Sequence, residues 1–316
     1  MSQSQKSYLH IEQSIQEWAL KRQDVRSVFI VGSRGRKNQS DIRSGSDLDV
    51  IVITDKPKTY SDASWMEEID SVVISQRKPE QHMVFHHSND FYAIYKPALG
   101  VDFSVVHSST LRNQLFTLPI SRRLPLLVSD LLKQQMSSLI IAFHFGYKVI
   151  VDKDGLAEAL DKTLVSLPQP DRAVSESEFS ELLNSFIIYG FRCAQKIQSE
   201  HLYTAKWICD VTMKTLLVQM LEWHTASKTD SHQEEWLRDL CVDDWADNRV
   251  LQEMPELFPQ YNAPSILASL SKMIDLAYWV SAEVSTQMKH NDSFMKSIDH
   301  FEWLKQYLEN QKSSRS

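Results

Sequence analysis

Cysteine, glycine, long apolar runs and excess basic charge are all scarce in this sequence, and each scarcity excludes something. Cysteine occurs only at Cys193, Cys209 and Cys241, an odd number without the spacing of a zinc site or a disulfide framework. The amino terminus has no apolar secretory segment, so a cytoplasmic, disulfide-free protein is expected. No stretch of about 18 uncharged apolar residues exists. The nearest, Leu131–Ile150, is broken by Lys133, Gln134, Gln135, His144 and Lys148, so no membrane span is expected. Basic residues number 34 against 41 acidic ones, a net charge of −7 that argues against general binding to nucleic-acid phosphates. Of only seven glycines, Gly32, Gly35 and Gly45 crowd into one short stretch, and Gly190 is alone beyond residue 156. Backbone freedom is therefore concentrated near residue 32.

What is present describes an ordinary globular chain. With 316 residues, 42% hydrophobic and 24% charged, it is long enough for two domains of roughly 100–200 residues each. The halves differ in charge. Residues 1–155 hold 19 basic and 17 acidic side chains, and residues 156–316 hold 15 and 24, which gives +2 and −9. In the first half, Val28–Val31, Leu48–Ile53, Phe91–Tyr95 and Val101–Val106 are short β-branched or aromatic runs bounded by turn residues, which predict strands. An amphipathic helix is predicted at Tyr8–Leu20, and Ser61-Asp62-Ala63-Ser64 is expected to cap another that contains Trp65, Met66 and Ile69. The second half lacks proline from Asp171 to Met254. Its apolar residues recur at helical spacing, as in Phe179, Leu182, Leu183, Phe186, Ile187 and Leu216, Leu217, Met220, Leu221. An α+β domain at 1–155, a linker at 156–175 with Pro168 and Pro170, and a helical domain at 176–316 are expected, the last opening on a capping box of Ser175 and Glu178.

The chemistry is concentrated between residues 31 and 52. A strand ends in Val31-Gly32-Ser33-Arg34-Gly35-Arg36, a polar loop follows, and a second strand begins Asp47-Leu48-Asp49-Val50. Alternate side chains of a strand share a face, so Asp47 and Asp49 converge while Leu48 and Val50 turn to the other side. Crowded carboxylates call for a compensating cation, and Mg²⁺ takes hard oxygen ligands. Asp102, within Val101-Asp102-Phe103, supplies a third acid if its strand lies alongside. Such a set suits two-metal phosphoryl or nucleotidyl transfer. Gly32 lets backbone approach a phosphate, the Ser33 amide and hydroxyl can donate to it, and Arg34 and Arg36 can neutralise it.

The ordered set of strand, Gly-Ser, polar loop, Asp-x-Asp and later strand Asp resembles the nucleotidyltransferase superfamily signature. The whole chain resembles one family within it, the bacterial aminoglycoside 6-adenylyltransferases that act on streptomycin. Asp152-Lys153-Asp154-Gly155 is similar to the run that closes that family's first domain. Ala205-Lys206, Asp210 and Met220–Trp223 are similar to its long second-domain helix, and Asp244-Trp245 to Tyr261, Asp275–Ala277 and Glu283-Val284 to its last helices. The resemblance implies a polymerase-beta-like mixed-sheet domain followed by an all-α domain across a cleft. It implies two Mg²⁺ ions and transfer of AMP from ATP to a hydroxyl of an aminoglycoside, with release of pyrophosphate. Asp47, Asp49 and Asp102 match the metal-binding, catalytic acids; Gly32, Ser33 and Arg34 match the nucleotide-phosphate turn.

The departures fall on the acceptor side. Asn184-Ser185-Phe186-Ile187 stands where the family has Asn-Glu-Phe-Trp, Gly100 where it has an arginine, and His201 where it has an acid. Candidate acceptor contacts are Glu178, Asn184 and Lys206, with the capping box as the alternative role of Glu178. The acidic second half suits a small cationic acceptor. Alternatives are the same chemistry on a lincosamide, a protein hydroxyl or an RNA end, and a nucleotide-binding regulator without transfer activity. Antibiotic resistance accompanies the family but is not implied by the motifs. His82, His86 and His87 are set aside as metal ligands because adjacent strand residues face opposite ways. Trp207, Trp223, Trp236, Trp245, Trp279 and Trp303 are expected in the helical core.

Overall fold

The computed structural model describes residues 3–36, 45–79, 88–123, 142–144, 146–166, 174–228 and 242–313. The linker prolines, His82, His86, His87, Trp236 and Cys241 lie outside them. The chain divides into two compact units, Met1–Pro168 and Gln169–Ser316. No described helix is long and apolar enough to cross a membrane.

In the first unit, among the described residues, six strands form one mixed sheet: β1 Val25–Val31, β2 Leu48–Thr54, β3 Val72–Arg77, β4 Asn89–Tyr95, β5 Leu99–His107 and β6 Lys148–Asp152. Their order is β3-β4-β5-β2-β1-β6, with β2 and β5 parallel and the other pairs antiparallel. Strands β1 and β2 are buried almost continuously because both faces of the sheet are covered. Val28, Ile30, Leu48, Val50, Val52, Val101 and Phe103 face a core shared with Tyr8, Ile11, Ile15 and Trp18 of helix α1, Gln3–Lys21. Phe29, Val31, Ile51, Ile53 and Val106 face a second core with Leu111 of α2, Ser108–Arg123, and with Leu156 and Leu160 of α3, Leu156–Ser166. By strand alternation Asp47, Asp49 and Asp102 belong to the α2–α3 face.

Helix α3 corrects the expected linker: the first part of 156–175 is a helix of this unit. The cause is local. Asp152 accepts from the amides of Leu156 (3.0 Å) and Ala157 (2.9 Å), which caps the helix at the end of β6, and Leu156 and Leu160 then bury against the sheet. The helix expected after Ser61–Ser64 is a single 3-10 turn, Ser64–Glu68. There the Asp62 carboxylate accepts the Ser64 amide at 2.9 Å, and Trp65 and Met66 are the buried anchors. Edge strand β3 was not foreseen: Val73 and Ile74 are each 58% exposed, so no apolar alternation marks it.

Among its described residues the second unit has helices and no strand. Helix α4, Glu176–Gln198, starts at the Ser175–Glu178 capping box and buries Phe179, Leu182, Leu183, Phe186, Ile187, Gly190 and Cys193. A continuous helical stretch follows, made of α5 (Leu202–Trp207), a π-helical turn at Ile208–Met213, and α6 (Lys214–Lys228). After the short helices Val242–Trp245 and Asn248–Glu253 come α7, Ala263–Met288, and α8, Asn291–Ser313. Gly190 lets α4 and α8 touch, since a Cβ there would lie 2.9 Å from Leu304 Cδ2. The expectation that tryptophans pack in the core fails at two positions. Trp207 is 56% and Trp303 49% exposed, because Trp207 stands outside the buried stripe of Ala205, Cys209 and Met213 and Trp303 stacks on Tyr307 at the surface.

Candidate active site

The register places the acids. Val31 pairs with Asp49 across β1 and β2, and Asp49 pairs with Asp102 across the parallel β2 and β5. Asp47, two residues before Asp49, shares its face. Directly after β1 the chain enters the short helical turn Gly32–Gly35. Gly32 is required there twice over. Its φ is +64°, and a Cβ would collide with Asp49 Oδ2 and lie 3.1 Å from Asp49 Cγ. The turn and the acid are thus in direct contact.

Burial and neighbouring charge both disfavour the ionised form of Asp49. Burial first, then the charges of Asp47 and Asp102, push its carboxyl up from 3.8 to about 7, against a lowering by Lys78. Asp102 is also raised, chiefly by burial, although its carboxylate forms an ion pair with Lys78 Nζ. Lys78 follows β3, where its amide donates to the Asp90 carbonyl at 2.7 Å and so extends the β3–β4 ladder. Antiparallel partners share a face, so Lys78, Tyr92 and Asp102 meet on the side of the acids. Sequence reasoning missed Lys78 because β3 carries no apolar pattern.

Arg34 does something other than expected. Its side chain turns inward, 3.5 Å over the Tyr8 ring, and donates from Nε to the carbonyls of Ser46 and Asp47 (both 3.1 Å) and from Nη2 to Ser46 (2.9 Å). Burial lowers its pKa, and Tyr8 and the acids Glu12 and Asp47 oppose that. The guanidinium thus ties the Gly32 turn to the entry of β2. Gly100 is equally specific: a Cβ there would lie 2.5 Å from the Tyr92 hydroxyl and 3.4 Å from Asp47 Cβ, so tyrosine takes the space of a longer side chain.

As a metal site the cluster is chemically suited but not closed. Its donors are hard carboxylate oxygens, the ligand type that Mg²⁺ takes, and burial with the charges of Asp47 and Asp102 raises Asp49. Among the described residues no group of three His, Cys, Asp or Glu side chains is arranged to hold a metal ion. The acceptor candidates belong to the second unit. Glu178 is engaged in the capping box, Asn184 is exposed, and Lys206 pairs with Asp210, which Lys214 also contacts at 2.6 Å.

The sequence matches the family model for streptomycin adenylyltransferase over residues 5–309. The chain belongs to the streptomycin adenylyltransferase family. It is therefore a nucleotidyltransferase. No curated protein matches it. An aminoglycoside 6-adenyltransferase of Bacillus subtilis is similar to it at 15% identity over 96% of both chains, with a TM-score of 0.41. A nucleotidyltransferase-like protein of Exiguobacterium sibiricum is similar at 13% identity, over 91% of this chain and 80% of its own, with a TM-score of 0.28. The assignment rests on the family match, and neither structural likeness adds to it.

Proposed function

We propose that this member of the family transfers AMP from MgATP to a hydroxyl of an aminoglycoside, with Asp47, Asp49 and Asp102 as the catalytic, metal-binding acids. The observation that carries the reading is the meeting of those acids on one sheet face in contact with the Gly32 turn. The acceptor oxygen bonds to the α-phosphorus, the bond from that phosphorus to its bridging oxygen breaks, pyrophosphate leaves, and the hydroxyl proton is released. Mg²⁺ held by the three carboxylates would supply the positive charge that stabilises the attacking and departing oxygens. Gly32 and Ser33 receive the phosphates, Gly32 because backbone without a side chain lies against the acids. Arg34 keeps Asp47 in place through its bonds to the Ser46 and Asp47 carbonyls, so its part is positioning.

Acceptor contacts are assigned to the second unit, with its excess of acidic residues. One observation favours a less cationic acceptor, such as a lincosamide: Asp210 is bracketed by Lys206 and Lys214, so two ammonium groups outnumber the one carboxylate and a positive charge is left beside a candidate contact. The test is pyrophosphate release from MgATP across aminoglycosides, including streptomycin, and lincosamides, with mass spectrometry of the products. An acceptor heavier by one AMP, absent with Asp49→Asn, is expected. ATP bound without release on any acceptor would favour the regulator instead.

A further inference from the structure

We propose that Lys78 is a positioning residue that competes with the divalent cation for Asp102, so that the ammonium and the metal occupy this carboxylate in turn. The inference rests on the reading of Asp47, Asp49 and Asp102 as a metal site.

The ion pair is not an incidental surface contact. The side chains of Lys78 and Asp102 are only 27% and 24% exposed, and the backbone of Lys78 is fixed by the 2.7 Å bond from its amide to Asp90. Its direction follows from register, since it continues β3 on the face that carries Tyr92 and Asp102. Arg34, a buried cation beside Asp47, directs its donors to the Ser46 and Asp47 carbonyls.

Crowded carboxylates are costly to keep ionised without a counter-charge, and Lys78 supplies one. A dication at the same carboxylate oxygens would meet the ammonium at close range, where like charges repel strongly in a partly desolvated site. The two cations therefore exclude one another at Asp102.

The test uses the full chain without nucleotide, Mn²⁺ as the probe, and titration followed by the paramagnetic resonance of free Mn²⁺. The titration is run at pH 8. Removing the competitor in Lys78→Met should tighten Mn²⁺ binding by about threefold to tenfold, as expected for a partly buried ion pair. Lys78→Arg, which keeps the charge, should stay near wild type. A merely structural lysine would give the opposite result, because its loss would loosen the site. Mn²⁺ affinity unchanged or weakened in a Lys78→Met protein with wild-type circular dichroism would overturn the inference, and Lys78→Gln gives the same readout if the methionine variant does not fold. Binding by wild type that Asp49→Asn abolishes, with no gain in Lys78→Met, would sink the competition and keep the metal site. Absence of Asp49-dependent Mn²⁺ binding in both wild type and Lys78→Met would overturn both.

Discussion

At the scale of single residues, the candidate site is a problem of space and charge. Gly32 occupies a left-handed conformation and leaves room that Asp49 fills, so Gly32→Ala combines backbone strain with a collision. Strain of this kind costs about 1–3 kcal/mol. Gly32→Ala should lower the unfolding free energy extracted from urea denaturation by that order and also weaken nucleotide binding, read by titration calorimetry. Asp49 sets a pH dependence. Its carboxyl is at about 7 in the fold against 3.8 when unperturbed, so between about pH 4 and pH 7 the folded chain holds a proton that the unfolded chain has released. Stability is therefore highest at the acid side of that window for this group, falls as pH rises to about 7, and is then flat. At roughly 1.4 kcal/mol per unit the fall is on the order of a few kcal/mol. Asp49→Asn should flatten that slope and raise stability at pH 8, measured by denaturation across the window. In the intact enzyme, transfer should rise with pH through an inflection near 7 that moves lower as Mg²⁺ is increased, because the metal favours the ionised acid.

At the scale of elements, caps and clips explain where helices begin and how they are held. Ser175 accepts the Glu178 amide at 3.2 Å while Glu178 Oε2 accepts the Ser175 amide at 2.9 Å, so α4 starts where two orphan donors are satisfied together. Ser175→Ala should cost about 1 kcal/mol in urea denaturation with no change in metal binding by the first unit. The Asp152-Lys153-Asp154 run at the end of β6 works as a clip. Asp152 caps α3, Lys153 Nζ donates to the carbonyls of Ala19 (3.0 Å) and Arg22 (2.6 Å) where α1 ends, and Asp154 binds Arg26 (Nε at 2.9 Å) and pairs with Arg112. In this chain the run therefore has a structural role: it joins α1, β1, α2 and α3 to the strand that ends the sheet.

At the scale of the whole molecule, the chain is two units with different architecture and opposite charge balance. If nucleotide chemistry belongs to the first, MgATP should slow amide exchange at residues 32–34 and 48–50, beside the turn and the acids. Exchange in the core of α7, in the second unit, should be unchanged, and mass spectrometry of deuterated peptides would read both. Equal protection of α7 would mean that nucleotide binding orders both units together.

Much of this was legible in the sequence. The four runs Val28–Val31, Leu48–Ile53, Phe91–Tyr95 and Val101–Val106 are strands, α1 covers the predicted helix, and the capping box forms at Ser175. These are local signals, carried by alternation, helical spacing and side chains that bond their own backbone. The convergence of Asp47 and Asp49 was legible for the same reason, since alternation alone puts them on one face. What lay beyond the sequence depends on register and on packing against distant chain. β3 is an exposed edge without alternation, so neither it nor the direction of Lys78 could be read. Arg34 looked like a phosphate ligand because its motif is polar, but the carbonyls of Ser46 and Asp47 and the Tyr8 ring reach it only once β1, β2 and α1 have packed. The sequence by itself determined which acids share a face and where the backbone can turn. Only the tertiary structure decided which cation stands beside each acid, because ion pairs across strands are set by register and not by spacing along the chain.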